Sequence, residues 1–316
     1  MRRGLMSAAA AGLAAVVLVG CSSGTENVGG DRTVDVQGTE YTVPSDPQRI
    51  VAIFNAATQS LIEAGGGDRI VAAQELPLSN VPTANRAAYQ AIPAKVDMDA
   101  SAESQASHNP DLFVSVDFVE PGLNDELAKF APVAIMQVSG KGRPDWKGRS
   151  KAAGEILGTS DKIAQLDAAL TARQEDIKKR FADVLGSKTV TVLDSYERGN
   201  LYAYGAKSMV GTLFTAAGVR FAPSVTGDGT SPDTNPGEFE SSSEKLGSFL
   251  DADIVMVVSD FDRKFDELQT ALVNNPLLAG SGKTVQSLGL GQISSYAQAD
   301  FMLDSLEQAL TKARSA

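Results

Sequence analysis

Residues that commonly perform catalysis or bind metals directly are scarce in this chain. Its 316 residues include one histidine, His108, and one cysteine, Cys21. A hydrolase with a histidine base would depend on His108, and no nucleophile elbow follows a predicted strand. A zinc or manganese site built on several imidazoles is disfavoured by the same count. We therefore expect that the protein is not an enzyme and that it holds no cofactor and no resident metal. An aspartate dyad stays open as an alternative, although no motif supports one.

Side chains suited to binding a solute follow predicted strands in the first half of the chain. Apolar runs predict strands at 50–54, 70–74, 112–116 and 133–138, with helices between them. Strands that alternate with helices predict a parallel sheet, whose ligands lie beyond the carboxyl ends of the strands. The residues expected at that edge are Asn55, Gln74, Asp117, Phe118 and Ser139.

The second half of the chain repeats this pattern. The strands predicted there are 189–194, 201–204, 254–259 and 284–288, and a Gly- and Pro-rich loop is predicted at 226–237. Glu103 stands 8 residues before Asp111, and Glu244 stands 9 residues before Asp253. In both cases a short helix lies between the two acids and an apolar strand follows. This internal similarity suggests a duplicated lobe.

A long helix is predicted between the two halves of the chain. Apolar residues recur three and four positions apart at Ile163, Leu166, Leu170, Ile177, Phe181 and Val184. The spacing predicts one amphipathic helix over 160–185, capped by Ser160 and ended by Gly186. Its length would be about 39 Å. We therefore predict an α/β protein with two Rossmann-like lobes joined by one long backbone helix, and a ligand cleft between the lobes.

The first residues of the chain predict export. Arg2 and Arg3 precede an apolar run at 5–19 that is too short for a confident membrane span. The run ends in Leu18-Val19-Gly20-Cys21, which resembles the lipobox of bacterial lipoproteins. The Cys21 thiol would then be acylated and anchor the protein on the extracytoplasmic face of the cell membrane. An ordinary signal peptide with a chance cysteine is the alternative.

The predicted boundaries follow from these elements. They are a signal peptide at 1–20, a flexible tether at 21–31, an N-terminal lobe at 32–158, a bridging helix at 159–186 and a C-terminal lobe at 187–316. The net charge of −11 makes nucleic acid an unlikely partner, because phosphates would be repelled.

Four short motifs are spread over most of the chain. They are Val43-Pro44-x-x-Pro47-x-Arg49-Ile50-Val51, Asn109-Pro110-Asp111-Leu112, Ser242-Ser243-Glu244-Lys245-Leu246 with Ala252-Asp253-Ile254, and Asn275-Pro276-Leu277. In this order the chain resembles the substrate-binding proteins of bacterial ABC importers for ferric siderophores, haem and cobalamin. The resemblance implies two lobes on one helix, a ligand in the cleft, and little closure on binding. We expect a monomer.

The resemblance also implies how the protein would meet its importer. One glutamate on each lobe, Glu103 and Glu244 by motif position, would contact arginines of the permease dimer. Two simpler interpretations remain open. Glu103 could be a solvated first-turn acid, and Ser241-x-x-Glu244 could be a capping box.

Cleft residues are expected on loops that face the other lobe. Arg198 would meet the oxygens of an iron(III)-siderophore complex, with Phe118, Tyr196 and Tyr296 as walls; Tyr296 is included because the family often has an aromatic residue there. Few arginines are available, which favours a hydroxamate or mixed siderophore over an anionic catecholate. Haem or cobalamin, or a surface lipoprotein that has lost its ligand, are the alternatives. Tyr202 and Tyr204 are interpreted as core or edge residues of a strand, and Trp146 as a packing anchor.

Overall fold

Two central sheets, one in each half of the chain, organise the fold. The computed structural model describes residues 30–315. The predicted signal peptide, Cys21 and all but the last residues of the predicted tether lie outside the described residues. The first elements are the antiparallel strands β1 (Asp31–Val36) and β2 (Thr39–Pro44), which form a hairpin. Gln37 and Gly38 turn between them with positive φ angles of 52° and 88°, a conformation that glycine adopts freely.

The first lobe contains a five-stranded, wholly parallel sheet in the order β5-β4-β3-β6-β7. Its strands are β3 (Ile50–Ala52), β4 (Ile70–Gln74), β5 (Ala94–Val96), β6 (Leu112–Val116) and β7 (Val133–Met136). Its helices are α1 (Asn55–Leu61), α2 (Thr83–Ala91), α3 (Ala102–Ala106), α4 (Leu123–Leu127) and α5 (Trp146–Leu157). The predicted parallel sheet is confirmed. Helices cover its faces, which is why β3 and β6 are wholly buried and read as apolar runs.

The bridging helix α6 (Ser160–Arg180) has 21 residues, or about 31 Å. The prediction of an unbroken helix to Leu185 is wrong, because Phe181 leaves the helical region (φ −114°, ψ 21°) and a separate helix α7 (Ala182–Ser187) follows. The ring of Phe181 is buried beneath the guanidinium groups of Arg180 and Arg314, and this contact favours the bend. Gly186 lies inside α7 and does not end the helix.

Helix α6 nevertheless packs against both lobes. Near its start, Ile163 lies so close to Gly154 of α5 that a Cβ at Gly154 would be 2.7 Å from the Ile163 Cγ1 atom. Near its end, the Gln174 side chain donates a hydrogen bond of 2.9 Å to the Leu213 carbonyl in the second lobe. The predicted connection of two lobes by one long helix is therefore confirmed.

The second lobe also has five strands, in the order β10-β9-β8-β11-β12. They are β8 (Val190–Asp194), β9 (Asn200–Tyr204), β10 (Glu238–Ser242), β11 (Ile254–Val257) and β12 (Thr284–Ser287). Strands β8, β11 and β12 run parallel, whereas β9 is antiparallel to both of its neighbours. The helices of this lobe are α8 (Met209–Ala216), α9 (Glu267–Val273), α10 (Pro276–Ala279) and α11 (Tyr296–Ser315).

Two aspartates perform the same task in the two lobes. The Asp111 carboxylate accepts hydrogen bonds from the backbone N–H groups of Gln48 and Arg49, at 2.7 and 3.0 Å, just before β3. The Asp253 carboxylate accepts one from the Thr189 N–H, at 2.9 Å, just before β8. Each aspartate thus ties the start of its own strand to the neighbouring strand, and the two lobes share one building plan.

The apolar core continues from one lobe to the other, since buried residues of both sheets and of α5, α6 and α11 belong to a single cluster. The lobes are therefore joined by packing as well as by α6. Across residues 30–315, no helix is both long and apolar enough to cross a membrane.

Candidate functional site

Two polar contacts between the lobes lie at opposite edges of the two central sheets. On one side, the segment after β4 meets the segment after β11: the Phe261 N–H donates to the Ser79 carbonyl at 2.9 Å, and the Arg86 guanidinium lies 2.8 Å from the Asp262 carboxylate. On the other side, the segment after β7 reaches β10. Given the strand orders, the carboxyl ends of β3, β6 and β8 lie between these contacts. Open α/β sheets bind ligands beyond such ends.

The contact at β10 is an ion pair across the cleft. The Arg143 Nε atom lies 3.0 Å from Glu238 Oε1, and Arg143 Nη2 lies 3.4 Å from Glu238 Oε2. Glu238 is buried, and burial raises the pKa of its carboxyl group while the Arg143 guanidinium opposes that rise. An exposed pair, Lys141 and Asp233, lies at the same edge with 3.9 Å between charged atoms.

Aromatic side chains form the wall of the second lobe. Strand register places Tyr204 opposite Glu238 and Tyr202 opposite Asp194, so these four side chains share one face of the sheet. The Tyr196 ring stacks on that of Tyr202, with 4.1 Å between centroids and 12° between planes. Tyr202 and Tyr204 are buried, whereas Tyr196 is 52% exposed. Tyr196 therefore offers one free aromatic face.

Asp194 is a second buried carboxyl group in this wall, only 5% exposed. It accepts hydrogen bonds from the Ser195 N–H (2.8 Å), the Gln269 side-chain amide (3.2 Å) and the Tyr204 hydroxyl (3.3 Å). Among the described residues it has no cationic partner within ion-pair distance. Burial raises its pKa to about 6, although these hydrogen bonds act in the opposite direction.

The wall of the first lobe is formed by the loops after β6 and β7. The Asp117 carboxylate accepts hydrogen bonds from the Val138 N–H (2.8 Å) and the Ser139 hydroxyl (2.7 Å), which joins the two loops. The next residue, Phe118, is 61% exposed. Its ring is thus available at the end of β6, as the sequence pattern predicts for this edge.

A buried guanidinium holds the loop that carries Arg143. Arg149 of α5 donates to the Gln137 carbonyl at 2.8 Å and to the Arg143 carbonyl at 3.2 Å. It also reaches the Ile293 carbonyl in the second lobe at 3.4 Å. Burial lowers the pKa of Arg149 to about 10, so this guanidinium stays charged at neutral pH. Arg149 therefore positions Arg143 from behind the wall.

Arg198 is not brought to the Arg143–Glu238 pair. It is 82% exposed and lies 3.2 Å from the equally exposed Glu267. It borders a depression of about 260 Å³ that is lined only by residues of the second lobe, among them Asn200 and Leu246. The loop after β8 thus directs Tyr196 and Arg198 to different surroundings.

Tyr296 faces the bridging helix. As the first residue of α11 it is only 3% exposed, and its ring packs edge-on against Trp146 with 5.0 Å between centroids. Its hydroxyl donates to Asp167 of α6 at 3.3 Å. The side chain is therefore occupied by packing between the lobes, and we do not propose it as a wall of the cleft. Trp146 is buried in the same contact, in keeping with a packing anchor.

A carboxyl group of the first lobe holds the start of α11. Glu63 accepts hydrogen bonds from the backbone N–H groups of Tyr296 and Ala297, both at 2.6 Å. These are among the N–H groups that lack partners within a helix. Burial raises the pKa of Glu63 to about 7 in spite of these bonds. No sequence motif marks this junction, because its partners are 233 residues apart.

The two glutamates expected to dock on an importer occupy equivalent positions. Glu103 lies in α3 ahead of β6, and Glu244 lies in a short turn, Ser243–Phe249, ahead of β11. Both are exposed, and neither forms an ion pair with a described residue. Ser242 caps the turn that contains Glu244, because its hydroxyl accepts a hydrogen bond from the Glu244 N–H at 3.3 Å. The alternative of a capping box from Ser241 is therefore wrong. The N–H of Glu103 itself and the Ser101 hydroxyl lower the pKa of Glu103.

Comparison with known proteins identifies the family. A family model described as "Periplasmic binding protein" matches residues 50–287, which include both sheets. The chain belongs to the periplasmic binding protein family. Members of this family bind substrates and are not catalytic, so this chain is not an enzyme. A search of curated protein sequences found no significant match.

Solved structures share the fold. A siderophore periplasmic binding protein from the fuscachelin gene cluster of Thermobifida fusca is 22% identical, with a TM-score of 0.69 over 85% of this chain and 98% of the other. The FhuD protein from S. pseudintermedius is 21% identical, with a TM-score of 0.68 over 89% and 98%. FhuD2 from Staphylococcus aureus with bound ferrioxamine B is 18% identical, with a TM-score of 0.63 over 84% and 99%. At these identities the likeness establishes the fold.

Proposed function

We propose that this protein is the extracytoplasmic substrate-binding component of an ABC importer, that it captures a ferric siderophore, and that it delivers the chelate to a permease dimer. The observation that carries the proposal is a family match that spans two α/β lobes. We place the ligand between the lobes, where Phe118 and Tyr196 are exposed and Arg143 pairs with Glu238. Exposed aromatic faces suit the organic shell of an iron chelate. Two proteins of similar fold are a siderophore-binding protein and FhuD2 with bound ferrioxamine B, which supports the same ligand class.

A hydroxamate or mixed siderophore is favoured over a tris-catecholate. A strongly anionic chelate would call for several guanidinium groups free to bind it. In the described part of the cleft, the Arg143 guanidinium is already paired with Glu238, and Arg149 is buried and turned toward carbonyl groups. A ligand with little negative charge fits this arrangement better.

Delivery would use the two exposed glutamates. Glu103 and Glu244 stand at equivalent positions of the two lobes, and carboxylates without ion partners can each accept a bidentate contact from an arginine. Two separated contacts would also fix the orientation of the protein on a permease dimer. We propose that a monomer of this chain docks in this way.

The sequence of the leader leads us to propose a lipid anchor for this protein. Acylation at Cys21 would hold the protein on the extracytoplasmic face of the cell membrane, close to its permease. In cells of the source, Cys21→Ser is expected to release the protein from the membrane fraction. A variant that remains membrane-bound and normally processed would contradict the anchor.

Titration of intrinsic fluorescence tests the binding function. The chain has one tryptophan and six tyrosines, and Tyr196 lies on the cleft wall. Ferric hydroxamate, mixed and catecholate siderophores should be compared, with the iron-free forms as controls. Saturable quenching at micromolar or tighter affinity by a ferric hydroxamate or mixed siderophore is expected. If only haem or cobalamin binds, the protein carries one of those ligands and not a siderophore. If none of these compounds changes the fluorescence, a lipoprotein that has lost its ligand is favoured.

A further inference from the structure

Each lobe exposes one large apolar side chain that no site described above uses. The large apolar side chains exposed among the described residues are Leu78, Phe118, Phe130, Tyr196 and Leu277. Phe118 and Tyr196 are assigned above to the space between the lobes. Phe130 is 51% exposed and stands between β6 and β7, whereas Leu277 is 57% exposed and stands between β11 and β12. Each thus belongs to the connection that leads to the edge strand of its sheet, at the same point of the common building plan.

In the first lobe, Phe130 lies beside Glu103. Helix α4 packs against α3, with Leu127 of α4 and Ala102 of α3 in one apolar cluster. Phe130 follows α4 directly and donates its backbone N–H to the Leu127 carbonyl at 2.9 Å. Backbone and serine hydrogen bonds lower the pKa of Glu103, and the charge of Lys129 adds to this effect. The residue before Phe130 is therefore close to the Glu103 carboxylate.

In the second lobe, Leu277 lies beside Glu244. The Asn275 side chain accepts a hydrogen bond from the Leu277 N–H at 3.0 Å, and this cap fixes the start of α10. A Cβ at Gly247 would be 3.9 Å from the Leu277 Cδ1 atom. Gly247 and Glu244 are three residues apart in the 3₁₀ turn after β10, and residues at that spacing share one face of such a turn. Leu277 therefore borders the face that carries Glu244.

Charge alone would attract a partner weakly at these two places. Lys245 directly follows Glu244, is exposed, and offsets the charge of that carboxylate. Contacts between exposed carboxylates and cations contribute little by themselves. Burial of an apolar side chain beside each carboxylate would supply free energy that the ion pair lacks. Two further cations near the glutamates already have carboxylate partners, in the pairs Lys129–Glu126 and Arg198–Glu267.

We propose that Phe130 and Leu277 complete the two docking sites for the permease. Each seats the aliphatic stem of a permease arginine while the neighbouring glutamate binds the guanidinium group. Arginine suits such a site, because its stem packs along apolar surface while its head group binds a carboxylate. The ring face of Phe130 attracts a guanidinium group in addition. The repeated arrangement fits a partner with two equivalent surfaces, as a permease dimer has. This inference rests on the proposed delivery function.

Uptake of an isotopically labelled ferric siderophore tests the inference in cells of the source that depend on this protein. Phe130→Gln and Leu277→Gln keep both glutamates and should each lower the uptake rate about fivefold, relative to the amount of exported protein. Phe130→Leu and Leu277→Met keep an apolar surface and should import near the parent rate. Leu78→Gln is the matched control, since Leu78 is exposed and belongs to neither site. It should import normally.

Calorimetry separates delivery from ligand binding. The purified glutamine variants should bind the same ferric siderophore with the affinity of the parent protein, which shows that they are folded and that the loss lies in delivery. A lower affinity of these variants, or an equal loss of uptake in Leu78→Gln, would overturn the inference. So would a dimer of the parent protein that either glutamine variant dissolves in sedimentation, because the two side chains would then bind a second copy of this chain.

The outcomes also separate the inference from the function on which it rests. If both glutamine variants import at the parent rate while Glu103→Ala with Glu244→Ala does not, the apolar contacts are wrong and delivery through the glutamates stands. If the parent protein neither binds nor imports any ferric siderophore, the proposed function falls together with the inference.

Discussion

Arg143 and Glu238 join the two lobes across the cleft, with 3.0 Å between Nε and Oε1. Arg143 comes from the loop after β7, and Glu238 is the first residue of β10. The pair is largely screened from solvent, so its charges interact more strongly than those of a surface pair. It therefore helps to fix the relative position of the lobes.

The first prediction concerns this pair. Arg143→Gln should lower the free energy of unfolding by about 1–3 kcal/mol, because the buried carboxyl group of Glu238 loses its charged partner. Urea unfolding would measure the change. The double variant Arg143→Gln with Glu238→Gln should lose less than the sum of the two single variants.

The neighbouring exposed pair provides the control. Lys141 and Asp233 are separated by 3.9 Å and largely solvated, so Lys141→Gln should change the free energy of unfolding by less than about 0.5 kcal/mol. Equal effects of Arg143→Gln and Lys141→Gln would show that burial of the Arg143 pair adds nothing.

The second prediction concerns pH. Glu63 has a pKa of about 7 in the folded protein, above its usual 4.5, because it is buried. The folded state therefore binds more protons than the unfolded state between these two values. Stability from this group is complete below about pH 4.5 and is lost as the pH rises through about 7, by up to about 3 kcal/mol. Urea unfolding from pH 4.5 to 8 would show the decline.

Glu63→Gln isolates the contribution of this residue. An amide cannot ionise, so the decline should become much shallower, while one N–H of α11 loses its acceptor at every pH. Asp194, whose pKa is raised to about 6, keeps a smaller slope in the same range. An unchanged slope in Glu63→Gln would assign the pH dependence to other groups.

The strands were predictable where burial alone shapes the sequence. Strands β3, β6, β8 and β11 are buried on both faces, so each is mostly apolar. Strand β10, Glu-Phe-Glu-Ser-Ser, has no such run; only its pairing with β9 makes it a strand. The end of α6 was mispredicted because Phe181 and Val184 stay buried beyond the bend, so the apolar period continues where the helix does not.

The cleft was only partly predictable, for a related reason. Phe118 and Tyr196 follow strand ends, and position in the sequence is enough to find them. Glu238 and Tyr204 face each other through strand register, which requires knowledge of the partner strand. Local sequence therefore locates the edges of a sheet better than the side chains that meet across two strands or two lobes.

The third prediction concerns delivery. Glu103→Ala with Glu244→Ala should abolish uptake of the chelate by cells that depend on this protein, because both proposed contacts with the permease would be lost. Affinity of the purified protein for the chelate should not change, since neither residue lies in the cleft. Isotopic iron uptake and calorimetry would measure the two properties.

Other exposed glutamates provide the comparison. Glu126 lies on the first lobe and Glu267 on the second, both exposed. Replacement of these two by alanine removes the same charge from the same lobes and should leave uptake near the parent level. Normal uptake by the Glu103–Glu244 double variant would disprove the docking assignment.

The fourth prediction separates the two tyrosines that the sequence pattern treats alike. Tyr196→Ala should weaken chelate binding by up to about tenfold, because the exposed ring of the cleft wall is lost, whereas Tyr196→Phe keeps the ring and should bind normally. Tyr296→Phe removes only the hydroxyl that bonds Asp167 on α6 and should leave affinity unchanged. Calorimetry with one ferric siderophore would compare all three. If Tyr296→Phe weakened binding and Tyr196→Ala did not, the ligand would lie against α11 and not against the wall formed by β8 and β9.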